Sequence, residues 1–140
     1  MDPVFSIREE AANALIQISK STYDREWLSN LVANKVDEFS RHQTFMIRIH
    51  SIHLMNSMRE HVNPLTVKQK FAATFVKLAD DPVPNIRFNV SKSVKAHWKL
   101  WGRETQMNLE SHLKRMSEHD SDFDAKFFAM KALEEVGLAK

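Results

Sequence analysis

The residues best suited to do chemistry in this chain are its seven histidines and one acid-rich stretch near the C-terminus. His50 and His53 stand three apart with His61 nearby, which invites a zinc site. Zinc sites on helices and turns are usually completed by thiolates or by an H-E-x-x-H pattern. The chain has no cysteine and no such pattern. Ile47, Ser51 and Met55 share one helical face, and His50 and His53 fall off that stripe, as solvated helix positions do. The stretch "SEHDSDFD" lacks the spacing and the glycine of a calcium loop, and reads as a solvated turn feeding a helix N-terminus. In "HWKLW", Trp98 and Trp101 continue the face of Val90 and Val94, which predicts core packing. Nucleophile-elbow, P-loop and dinucleotide fingerprints are all missing. The reading is a non-enzyme with no metal and no cofactor.

The elements that position these residues announce themselves in "DDPVPNIRFNVSKSV", from Asp80 to Val94. Two prolines so close exclude a central strand, and proline suits the first turn of a helix, where its missing N–H costs nothing. Asp80 and Asp81 lie just upstream, where carboxylates favour the positive end of the helix dipole. From Ile86, Val90 and Val94 follow at steps of four, one face of a helix. The stretch is a tight turn that launches a helix.

That pattern repeats. The basic positions Arg8, Arg48, Arg87 and Lys126 are 40, 39 and 39 residues apart. Ala11, Ser51, Val90 and Ala129 follow three residues after each, and Leu15, Met55, Val94 and Leu133 follow seven after each. A second helical set alternates with the first. Val32, Val36 and Phe39 answer to Phe71, Phe75 and Leu78, and then to Leu109, Leu113 and Met116, each with the i, i+4, i+7 spacing of an amphipathic helix.

Composition agrees with a helical array. Only two glycines occur, so the turn chemistry of an all-β domain is missing. No apolar run reaches the length of a membrane span and no secretory pattern opens the chain. A net charge of +2 with interspersed signs is too weak to argue for nucleic acid. Zero cysteines fit a reducing compartment, so the expected location is cytoplasmic or nuclear. Seven antiparallel helices are predicted near Val4–Lys20, Asp24–Phe39, Thr44–His61, Pro64–Ala79, Pro84–Trp101, Glu104–Met116 and Asp122–Val136. Asn63 with Pro64 should start the fourth, and Ser121 with Asp124 resembles a capping box for the last. Short links make neighbouring helices antiparallel, and such pairs stack into one continuous core. Residues 1–140 therefore form a single all-α domain.

With these residues in place, the chain resembles the HEAT repeats, in which an Asp-Pro-Val-x-x-Ile-Arg turn links two helices. More narrowly, "LADDPVPNIRFNVSKSV" and "DSDFDAKFFAMKALEEVGLA" resemble the C-terminal end of the scaffold-subunit family of protein phosphatase 2A. The resemblance runs from about Asp37 to the end and is strongest over Leu78 to Val94. It implies an armadillo-like α-solenoid of about three and a half repeats, stacked as a right-handed superhelix, and a C-terminal fragment of a longer scaffold. It also implies a ladder of ion pairs between successive turns, carried here by Asp2, Arg8, Arg48, Asp81, Arg87, Asp120 and Lys126. His42 stands where the second turn should have its acid, which predicts a weaker ladder there. Exposed ion pairs contribute about 0–1 kcal/mol each, so the ladder is expected to set register more than stability.

The resemblance further implies a non-catalytic scaffold that binds a serine/threonine phosphatase catalytic subunit along the ridge of turns within repeats. The residues it designates are His42, Gln43 and Thr44; Asp81, Pro82, Val83, Pro84 and Asn85; and Asp122, Phe123 and Asp124. Val83 and Phe123 are the expected anchors, as apolar residues at turn tips. Regulatory subunits would bind repeats upstream of this segment. The first helix would lack its partner, so Phe5 and Leu15 would favour self-association through that end. A different HEAT adaptor, of the type 4 phosphatase or transport kind, would instead hold a peptide or helix on its concave face. A nucleic-acid binder would need a basic concave face, which dispersed charge does not provide. Neither nucleic acid nor membrane is an expected partner.

Overall fold

Every apolar triplet of the alternating helical set lands on the inner face of a helix. In the computed structural model, which describes residues 9–11, 13, 14, 16, 17 and 24–138, Val32 and Val36, then Phe71, Phe75 and Leu78, then Leu109, Leu113 and Met116 are buried. Phe39 is half-buried and packs against the same core. The second set behaves alike: Ser51 and Met55, Ile86, Val90 and Val94, and Ala125, Ala129 and Leu133 are buried. Ile47 is only half-buried, and Ala11 is exposed. Ile7 and Leu15, with Asp2, Phe5 and Arg8, lie outside the described residues.

The chain is all-helical, and no strand occurs among the described residues. Helix α1 spans Arg25–Ser40 and starts where the Asp24 carboxylate accepts from the Trp27 N–H at 2.8 Å. Helix α2 spans Phe45–Met58, shorter than predicted, because the chain turns through 59–62 before Pro64. Pro64–Thr66, a π-helical turn Val67–Phe71 and Ala72–Leu78 together make α3. The π turn lies where Val67, Phe71 and Ala72 enter the core. Helix α4 spans Pro84–His97 with Pro84 in its first turn. The helix expected to reach Trp101 tightens into a 3-10 turn, Trp98–Leu100, and the Gln106 side-chain amide donates to the Trp98 carbonyl at 2.7 Å. Helices α5, Arg103–His119, and α6, Phe123–Glu135, complete the described chain.

The cap of α6 corrects one expectation. Asp122, one residue after Ser121, accepts from the Ala125 N–H at 2.9 Å, so the capping box read at Ser121 is not formed. The bounds of α1, α3, α5 and α6 match the predicted ones to within about three residues, and the helix expected over Val4–Lys20 lies largely outside the described residues.

Packing follows from the short links. Four residues between α1 and α2, and three between α5 and α6, leave room only for antiparallel hairpins. Helices α1, α3 and α5 contact one another in order, as do α2, α4 and α6. The result is two layers of helices, with the first hairpin packed on the second and the second on the third. One apolar core runs through all three. Trp101 belongs to it and Trp98 packs against it, as their spacing implied.

Candidate functional site

This layering brings the three hairpin turns to one edge, and two arginines tie them together. Asp81 folds back so that its Oδ1 accepts the Val83 N–H at 2.9 Å, the side-chain turn typical of aspartate. Asp120 does the same for the Asp122 N–H, also at 2.9 Å. His42, in place of an acid, accepts the Thr44 N–H on its Nδ1 at 3.0 Å. The histidine therefore preserves the local turn that the acid makes elsewhere. Its place in the ladder would face Arg8, outside the described residues.

Arg48 reaches across from α2. Its Nε and Nη2 donate to the two Asp81 oxygens at 2.8 and 3.1 Å, and its Nη1 donates to the His42 and Gln43 carbonyls at 2.9 Å each. Arg87 repeats this one hairpin later. Its Nε and Nη2 meet Asp120 at 2.9 Å each, and its Nη1 meets the Asp81 and Pro82 carbonyls at 2.8 and 3.1 Å. Each guanidinium thus spends one edge on the next turn's carboxylate and one nitrogen on its own turn's carbonyls. A planar fork can do this and an ammonium cannot. Lys126 occupies the equivalent position in the last turn, is exposed, and pairs with no carboxylate among the described residues.

These pairs are not the solvated ones expected. Arg48 and Asp81 side chains are 13% and 6% exposed, and Arg87 and Asp120 are 15% and 6%. The Arg87 hydrogen bonds hold the Asp120 carboxyl below the usual range, against the opposing effect of burial. Reciprocally, the Asp120 hydrogen bond raises Arg87. With both partners mostly shielded and bidentate, the ladder contributes to stability as well as register. A further surface pair joins the same turns, Arg115 of α5 with Asp80. Between the second and third turns, Pro82, Arg115 and His119 border a groove of about 300 Å3.

The ridge residues divide by exposure. His42, Gln43, Thr44, Pro82 and Asp124 face solvent, and Phe123 is 80% exposed. Val83 is half-buried against the core, so it is not the free apolar anchor that its turn position suggested. Asp81 is buried in the ladder, Asp122 caps α6, and the Asn85 side chain accepts from Asn89 at 2.6 Å. Pro84 is half-buried in the first turn of α4. The accessible large apolar side chain among the ridge residues is Phe123.

His50 and His53 are half-buried rather than solvated, and the His50 ring meets Phe39 edge-on at 6.3 Å. Among the described residues no three His, Asp or Glu side chains gather as a metal site requires. Among the same residues no helix is long and apolar enough to cross a membrane.

Sequence reasoning missed His97. It is fully buried, stacked on Trp101 with centroids 5.5 Å apart and tilted against Phe75 at 4.8 Å. Its Nε2 lies 2.8 Å from Asn56 Oδ1, while Asn56 Nδ2 donates to Ser93 at 2.9 Å. With that amide orientation, Nε2 carries the proton. Burial, with the nearby Arg59 charge added, pushes the imidazole down to about 4. The available signal was position: His97 extends the column Ile86, Val90, Val94 by three residues. No protein-family model and no curated protein matches the chain.

Proposed function

We propose that this chain is a HEAT-type α-solenoid segment of a non-catalytic scaffold, and that its turn ridge binds the catalytic subunit of a serine/threonine protein phosphatase. The observation that carries the reading is the two-rung ladder, Arg48 to Asp81 and Arg87 to Asp120, repeated with the same atoms and the same 33-residue offset. Turns locked to one another present exposed groups at fixed intervals, so a partner meets a preorganised surface and less ordering entropy is lost. The phosphatase assignment rests on the wording of Leu78–Val94 and of Asp120–Ala139. Within the ridge, His42, Gln43, Thr44, Pro82, Phe123 and Asp124 are the residues that a partner can reach.

The test is affinity for purified catalytic subunit by surface plasmon resonance. Phe123→Asp places a charge on the exposed anchor and should weaken binding by at least about tenfold, the scale of an interface hot spot. Asn108→Asp adds the same charge on an exposed position of α5, away from the turns, and should leave affinity unchanged. Equal losses in the two variants, or no binding by the wild-type chain, would remove the ridge assignment.

A further inference from the structure

The edge opposite the ridge carries a different surface. There the start of α1, the link from α2 to α3 and the end of α4 converge on a cleft of about 440 Å3. Four cations border it: Arg25, Arg59, Lys95 and Lys99, against a single acid, Glu60. Arg25 donates to the Glu60 carbonyl at 3.0 Å and Arg59 to the Asn56 carbonyl, so both guanidinium groups are steered by backbone. None of the four forms an ion pair with a carboxylate among the described residues. Charges of both signs are interspersed along the chain, whose net charge is only +2, so four cations against one acid on a single cleft stand out by their ratio.

The floor is apolar. Val62 and Val67 are buried beneath it, Pro64 offers no N–H, and Leu100 at its margin is 43% exposed. A lone phosphate is bound best by converging backbone N–H groups and forked side chains held in place. Here the two forked side chains, Arg25 and Arg59, each spend a nitrogen on a backbone carbonyl, and the other two cations are exposed lysines on long stems, Lys95 and Lys99, one helical turn apart along one wall. Flexible charges around an apolar floor suit carboxylates spaced along a chain, with an apolar side chain between them to fill the cleft.

We propose that this cleft binds an acidic peptide segment, in which carboxylates on either side of one aliphatic residue meet the cationic rim while that residue covers Val62, Val67 and Leu100. The site is independent of the ridge, which lies at the far ends of the same helices. A scaffold would in this way hold a second partner segment without competing for the first.

The experiment uses fluorescence anisotropy of the whole chain with a fluorescein-labelled peptide, Glu-Asp-Leu-Glu-Asp. Binding should weaken as salt shortens the screening length below about 10 Å. The double variant Lys95→Glu, Lys99→Glu should bind about tenfold less tightly, as reversal of two rim charges implies. Both residues are exposed, so an unchanged circular dichroism spectrum is expected for the variant. The neutral peptide Gln-Asn-Leu-Gln-Asn should not bind, and Glu-Asp-Gly-Glu-Asp should bind more weakly than the leucine peptide. Equal binding by wild type and variant, or no binding of the acidic peptide, would overturn the proposal. So would displacement of the peptide by an equal concentration of inorganic phosphate, which would make the cleft a simple anion site.

Discussion

Arg87 satisfies four acceptors at once, and removing it leaves each of them short. In Arg87→Ala the Asp120 carboxylate, 6% exposed, keeps the Asp122 N–H but loses both guanidinium bonds. Breaking a shielded pair from one side typically costs about 3 kcal/mol, because a desolvated charge remains. Urea unfolding should show a loss of that order for Arg87→Ala. Arg41→Ala is the contrast, since Arg41 and Asp37 are 69% and 60% exposed, and a change within about 0.5 kcal/mol is expected. Acid should act through two groups. The folded Asp120 pKa lies below its ordinary 3.8, so its contribution is present above that value and is lost as pH falls through the folded one. His97 titrates at about 4 when folded and near 6.5 when free, so its contribution is full above 6.5 and is lost between 6.5 and 4. At about 1.4 kcal/mol per unit, that loss amounts to about 3 kcal/mol by pH 4. Stability of His97→Leu, measured by urea midpoints across this window, should fall less steeply with acid than that of the wild type. An identical slope would show that His97 is not protonated on unfolding.

At the scale of the element, helix starts in this chain are of two chemical kinds. Helices α1 and α6 begin on aspartate side chains, Asp24 and Asp122, each accepting an N–H three residues on. Helix α4 begins on Val83 with Pro84 behind it, and no side chain caps it. Asp122→Ala should therefore destabilise the chain by about 1 kcal/mol, the usual value of an N-cap, while Ser121→Ala should leave thermal unfolding unchanged. The capping box expected at Ser121 shows why this was misread. Sequence offers Ser, Asp and Asp within four residues, and any of them can cap. Asp120 is withdrawn by its pairing with Arg87, which leaves Asp122 at the helix start. At the end of α4 apolar periodicity runs on to Trp101, but the backbone tightens into the 3-10 turn Trp98–Leu100, where the Trp98 carbonyl accepts from both the Trp101 N–H and the Gln106 amide.

Across the whole molecule, each hairpin leans on its neighbour, so stability should divide along the stack. Arg48 joins the first turn to the second, and Arg87 the second to the third. In a quasi-one-dimensional stack, loss of one rung loosens the unit beside it more than the unit two places away. Arg48→Ala should accelerate amide hydrogen exchange in α1 and α2 more than in α5 and α6, read by mass spectrometry of proteolytic fragments. Uniform acceleration from α1 through α6 would mean that the hairpins unfold as one unit.

The helical repeat was legible because helix periodicity is a local property. Phe71, Phe75 and Leu78 declare a buried face through their spacing alone, whatever they pack against. Arg48 and Arg87, and Asp81 and Asp120, recur at a fixed period, but that they form a ladder was implied only by the resemblance. Burial was not legible. Whether Arg48 and Asp81 meet water depends on how closely two turns 33 residues apart approach, and whether Val83 is free depends on the core beneath it. His97 looked like one more polar residue until α2 and α4 met around it and Asn56 supplied its partner. The cationic cleft is the extreme case. Arg25, Arg59, Lys95 and Lys99 come from three separate helix ends, and a sequence with interspersed charge gives no sign that these four gather. Charge and burial add up over space, and only the stacking of the hairpins determines which residues share it.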